Sequence, residues 1–186
     1  MFLLLRLPVL AAALSLSLLT AAEPAASGTL PARRPLTIAF TAVDGRVVDL
    51  ARLKGKVVLI DFWATWSAPT VAELANQKRV YAQYHEHGFE IIGITFENAR
   101  IDAKDWPAAV TEKKRAAKDR LVAFLRDNQI PWPQYYDGEH WNNAYGRRFD
   151  IKALPASLLL DGEGRVVSTQ ARGEALEPLV RKLLGR

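Results

Sequence analysis

A chain of 186 residues, 49% apolar and 24% charged, can bury a core of its own and is too mixed in composition to be a disordered segment. Its formal charge of +5 is modest, with both signs interspersed, which argues for solubility and against a nucleic-acid footprint. It contains no cysteine, so disulfides, thiolate ligands and thiol nucleophiles are all excluded.

Residues 1–22 read as a targeting segment. Arg6 supplies a basic start, Leu7 to Ala22 form an apolar run, and Thr20 and Ala22 stand at small-residue cleavage positions, the pattern of a secretory signal peptide. The competing assignment is an uncleaved membrane anchor, for which the run is short. Cleavage would leave no stable span and place the mature chain in an oxidising compartment, a bacterial periplasm. Residues 23–35 (EPAASGTLPARRP) are rich in Pro, Ala and Ser and predict a flexible leader. The folded domain is then expected over residues 36–186.

Two strand patterns, Leu36 to Ala42 and Arg46 to Leu50, flank Asp44-Gly45, a hairpin signal. Val57 to Trp63 (VVLIDFW) is a near-continuous apolar run, as for a strand covered on both faces. A helix is predicted from Ala68 to His87, with Val71, Leu74, Ala75, Tyr81 and Ala82 on one face, Lys78 interrupting it and Gly88 ending it. Phe89 to Phe96 is a second buried-type strand. Asn98 to Thr111 is then a connection longer than a compact crossover needs and a second candidate partner surface. A basic run, Lys113, Lys114, Arg115, Lys118 and Arg120, reads as a solvated helix face. Leu121, Phe124 and Leu125 mark a helix ending near Asn128, Gln134 to Tyr136 a short strand, and Trp141 to Phe149 a short helix. Strands Ala156 to Leu160 and Arg165 to Thr169 flank a turn at Asp161 to Gly164, and Leu176, Leu179, Val180 and Leu183 define a last amphipathic helix. This order predicts an α/β domain: a mixed central sheet flanked by helices, with an N-terminal β-hairpin.

The tract Val57 to Thr70 (VVLIDFWATWSAPT) resembles the thioredoxin superfamily, in particular its periplasmic branch related to TlpA and ResA. There a buried strand runs into W-A-T-W-C-x-P-C as a helix begins. Trp63 to Trp66 and Pro69 match, while Ser67 and Thr70 hold the two cysteine positions. The lead-in Leu53 to Lys56, the segment Pro131 to Trp141, and Ile151 to Asp161 (IKALPASLLLD) extend the likeness. The resemblance implies a thioredoxin-like fold, a cis bond before Pro155, and Asp61 as the buried acid that moves protons in redox members. The dithiol mechanism does not carry over, because a hydroxyl can neither form nor accept a disulfide.

The residues that remain suggest other roles. Ser67 is expected to cap the helix, accepting a backbone N–H bond, with Ala68 and Pro69 in the first turn and Glu73 near the positive helix end. A serine nucleophile would need a base, and none of the three histidines, His85, His87 and His140, is near Ser67 in sequence. A helix N-terminus with two hydroxyls offers an anion site as a further alternative. Asp61 should be hydrogen-bonded or protonated. If the family geometry holds, Trp66, Ser67, Ala68, Pro69, Leu154 and Pro155 form a binding face; a rigid lead-in to the following strand is the structural alternative. His85 and His87 fit a helix-end cation role better than a metal site, and core packing explains most of Trp132, Tyr135, Tyr136 and Trp141. The resulting expectation is a non-redox module without cofactor or metal that holds a protein or peptide. An enzyme of another class using Ser67 or Thr70, and an accessory domain with a vestigial face, stand as alternatives.

Overall fold

The computed structural model describes residues 34–186; the signal segment and most of the leader lie outside the described residues. Five strands form the central sheet in the order β5-β4-β3-β6-β7. These are β3 (Val57–Trp63), β4 (Phe89–Thr95), β5 (Gln134–Tyr135), β6 (Ala156–Leu160) and β7 (Val166–Ser168), and a separate hairpin pairs β1 (Ala39–Thr41) with β2 (Val47–Asp49). Strand β4 runs parallel to both β3 and β5, while β6 is antiparallel to β3 and β7. The helices are α1 (Ala68–Tyr84), α2 (Pro107–Asp127), α3 (Ala144–Arg148) and α4 (Leu176–Leu183). The predicted mixed sheet, flanking helices and N-terminal hairpin are all present.

Every residue of β3 is buried, as its unbroken apolar run requires. Alternation sends Leu59 and Trp63 into the core with Leu74, Val80, Leu121 and Val180 of α1, α2 and α4. Ile60 and Phe62 enter the opposite core with the hairpin residues Ile38 and Val48. Asp61 shares the parity of Leu59 and Trp63, so its carboxylate is directed toward the helical layer.

Several local expectations need correction. The buried face of α1 is Thr70, Leu74, Gln77, Val80 and Tyr84, whereas Ala75 and Ala82 are exposed. Two polar residues turn inward and rotate the face away from the one the apolar pattern marks. Lys78, which interrupts that pattern, is half-buried, and its Nζ donates to Asn128 O at 2.9 Å. Helix α2 starts at Pro107, where a missing N–H costs nothing, so the predicted 98–111 connection ends at Trp106. The hairpin strands are shorter than expected. The segment predicted as one helix over Trp141 to Phe149 is a 3-10 turn, His140–Asn142, followed by α3. Asn143 divides them, its side-chain oxygen accepting from Tyr145 N and Gly146 N.

Candidate functional site

The loop Ala64–Ser67 links the end of β3 to α1. Ser67 occupies the N-cap position with φ −101° and ψ 97°, but its side chain makes no capping bond, contrary to expectation. Its carbonyl instead accepts from Thr70 N at 3.0 Å and Val71 N at 3.1 Å. Thr70, 1% exposed, ties the turn together. Its hydroxyl accepts from Ala64 N at 3.3 Å and shares its proton between Ala64 O at 2.9 Å and Ser67 O at 2.8 Å. A first-turn threonine reaching back into the loop thus supplies the fastening expected of the serine.

Glu97, which sequence reasoning missed, fastens the other side. It is 9% exposed, and its carboxylate accepts from Thr65 N at 2.6 Å and Thr65 Oγ1 at 2.9 Å. The available signal was a carboxylate two residues past a buried strand: register pairs Trp63 with Thr95, bringing residues 96–97 alongside the loop. Trp66 Nε1 donates to Phe96 O at 2.8 Å, while the indole stays 46% exposed. His140 and Trp141 join it, with ring centroids 5.0 and 6.1 Å from that of Trp66. Burial pushes the His140 imidazole below its ordinary range, partly opposed by Glu97.

Asp61 is 4% exposed and faces Gly93 and Ser157 across the sheet. Burial, reinforced by Glu73, pushes its carboxyl up to about 7, with the neighbouring Gln77 amide pulling the other way. Asp61 Oδ2 and Gln77 Oε1 are both buried without a hydrogen-bond partner among the described residues. Two orphan acceptors suit a carboxyl that keeps its proton. Glu73 does not serve the helix end; its Oε2 accepts from Gly173 N at 2.8 Å, tying α1 to the approach to α4.

Register pairs Phe62 with Ala156, which brings Leu154 and Pro155 to the same end of the sheet as the β3–α1 loop. The Leu154–Pro155 bond is cis, and Arg172 Nη1 donates to Pro155 O at 2.7 Å. Trp66, Ala68 and Pro69 are exposed, Leu154 and Pro155 half-buried, and Ser67 buried.

No hydrogen bond links the Ser67 hydroxyl to a histidine or carboxylate among the described residues. His85 stacks on Tyr81 at 4.4 Å at the far end of α1, and His87 meets Arg186. Among the described residues no three His, Asp or Glu side chains converge as a metal site. Trp132 is in the core, Tyr135 and Tyr136 are half-buried, and Trp141 is 40% exposed. A cleft of about 250 Å³ lies elsewhere, between the hairpin and the sheet, lined by Arg46, Val48, Tyr81, His85, Glu90 and Ile92 among others.

Fold and site together define a thioredoxin-like domain of the TlpA/ResA type, with hydroxyl residues where that type carries its two cysteines. The chain belongs to the Redoxin family, which it matches over residues 22–183. It is 28% identical over 147 residues to the thiol-disulfide oxidoreductase ResA of Bacillus thuringiensis, spanning 77% of this chain and 72% of that one. The thioredoxin domain of a thiol-disulfide oxidoreductase from Bacteroides vulgatus has the same fold, with a TM-score of 0.59 at 23% identity, covering 81% of this chain and 95% of that one. A thiol-disulfide oxidoreductase from Bacteroides fragilis gives 0.63 at 21% identity, covering 81% and 99%.

Proposed function

We propose that this domain is an exported, non-redox module that holds a protein or peptide segment on the face formed by Trp66, Ser67, Ala68, Pro69, Leu154 and Pro155. One observation carries the reading: the loop is fastened from both sides, by Thr70 and by Glu97, and it keeps the Trp66 ring open to solvent. A chain that lacks the dithiol retains the architecture around it. The Thr70 hydroxyl is engaged inside the turn, and Ser67 has no oriented base, so neither is set up as a nucleophile. Export is read from the pattern of residues 1–22. No helix among the described residues is long and apolar enough to cross a membrane.

The test pairs a disulfide-reduction assay with binding. The wild-type chain should reduce insulin no faster than buffer and should bind extended peptides. Substituting Leu154→Glu should abolish that binding; because Leu154 also packs against the core, the melting temperature should fall, with the chain still folded at the assay temperature. Reductase turnover by the wild-type chain, or peptide binding indifferent to Leu154→Glu, would overturn the proposal. Fractionation with mass measurement tests export: the mature chain should begin at Glu23 in the periplasmic fraction, and an intact N-terminus retained in the cytoplasm would contradict it.

A further inference from the structure

We infer that a second cleft, between the hairpin turn and the end of α2, binds a small neutral molecule that offers a carbonyl oxygen to the Trp132 indole N–H. This site is separate from the Trp66 face and does not rest on the holding function proposed above.

The cleft encloses about 240 Å³. Val43 and Asp44 of the hairpin turn and Val122 and Arg126 of α2 form its rim, over the buried side chains of Trp132 and Gln134. Leu125 and Ile130 make the rest of the floor apolar. The hairpin side is braced by two long-range bonds, Val43 N to Gln134 O at 3.0 Å and Arg46 Nη2 to Pro131 O at 2.7 Å, so the cleft is formed before anything enters it. Trp132 is 1% exposed, and its Nε1 has no acceptor among the described residues. A buried N–H without a partner is costly, and an apolar ring in its place would avoid that loss. Gln134, the other polar side chain of the floor, does not supply the acceptor. Its Oε1 already accepts from Trp63 Nε1 at 2.9 Å, and the amide is wedged over Gly93, where a Cβ would lie 1.8 Å from that oxygen. Its Nε2 donates only across 3.4 Å, to Trp132 O. The floor therefore offers an unused indole N–H and a weakly used amide N–H, with its one side-chain acceptor already engaged.

Charge narrows the ligand further. The charged residues of the lining are Asp44 and Arg126, and each stands in an ion pair: Asp44 with Arg46 at 2.6 Å, Arg126 with Asp127 at 2.9 Å. An ion entering the cleft would give up water for an apolar floor and meet no opposite charge in excess. A neutral ring bearing one carbonyl completes the Trp132 hydrogen bond and covers Leu125, Ile130 and the 42% exposed Val122. The volume lies below the roughly 300 Å³ at which drug-sized sites begin, which suits a single small ring.

The experiment titrates the full isotope-labelled chain with cyclohexanone, which is neutral and accepts hydrogen bonds without donating them, and follows the tryptophan indole N–H signals. The Trp132 signal should move downfield and saturate, while those of Trp66 and Trp141 stay in place. Cyclohexylammonium, the same ring with donors only, and cyclohexanecarboxylate, the same ring with a negative charge, should each bind at least about tenfold more weakly, the factor expected for one hydrogen bond to a buried donor or for burial of an unmatched charge. Trp132→Phe should weaken cyclohexanone several-fold, read from the backbone amides of Leu125 and Ile130. Val122→Trp alters no floor residue and fills the mouth from the exposed side of α2; it should abolish the Trp132 shift with the melting curve near that of wild type, and it keeps the test decisive should the core variant fail to fold. An unmoved Trp132 signal, an equal response to cyclohexylammonium, tighter binding of the carboxylate, or a shift that survives Val122→Trp would each overturn the inference. The holding function stands or falls separately, on peptide binding at the Trp66 face.

Discussion

Replacing Asp61 with asparagine should raise stability at alkaline pH and leave it nearly unchanged near pH 4. In the unfolded chain the carboxyl titrates near 3.8, and in the folded chain near 7. Between those values the folded state holds a proton that the unfolded state has released, so stability falls as pH rises. The slope is about 1.4 kcal/mol per pH unit, which accumulates to about 4 kcal/mol by pH 7 and stays level above it. Asparagine has nearly the same shape, stays neutral and can still meet Gln77, so it escapes this loss. Carboxylates held low by partners, such as Asp44 beside Arg46 and Glu177 beside Arg79, lose stability as pH falls. Their contribution cancels when variant and wild type are compared at each pH. Urea unfolding at pH 4.5, 6 and 8 should show the gap opening in favour of the variant as pH rises. Parallel stability curves, or a gap that opens toward acid, would refute a buried, proton-retaining Asp61.

Three further substitutions probe the loop. Thr70→Val keeps the shape but removes the hydroxyl shared with Ala64 and Ser67; it should cost about 1–3 kcal/mol in denaturant unfolding, because Ala64 N is left unpaired. Ser67→Ala should change the melting temperature little, within about 0.5 kcal/mol, because that hydroxyl caps nothing; a loss near 1 kcal/mol would restore the capping role. Glu97→Ala frees the Thr65 amide and should cost about 1.5–3 kcal/mol, with faster hydrogen exchange at Thr65. Joint substitution Ser67→Cys and Thr70→Cys should yield a chain that reduces insulin, if the retained loop is competent; an inactive, folded double variant would mean the fastening by Thr70 and Glu97 has reshaped it.

The fold was readable because its main signals are local and strong. The unbroken run Val57 to Trp63 and its partner Phe89 to Phe96 mark buried strands, and the turns at Asp44-Gly45 and Asp161 to Gly164 place the hairpins. The inward face of α1 was not readable, since Thr70 and Gln77 count as polar in any periodicity yet face inward, toward the Ala64 turn and Asp61. The start of α2 was hidden because its first turns bury nothing: Ala117 is its first buried residue. At the site, Ser67 was the expected cap from residue preference alone, whereas the outcome depends on which hydroxyl the turn geometry brings to the free backbone groups. Glu97 and His140 lie 32 and 75 residues from Thr65 in sequence (97 less 65, and 140 less 65) and meet the loop only through strand register and the 3-10 turn at His140–Asn142. Nothing local announces such long-range partners.

Amide chemical-shift mapping of the isotope-labelled chain, titrated with an extended peptide that it binds, tests the holding face most directly. Shifts should concentrate at Thr65 to Ala68 and at Lys152 to Leu154, together with the indole signals of Trp66 and Trp141. Shifts confined to the cleft around Val48, Tyr81 and Ile92, with the β3–α1 loop silent, would contradict it.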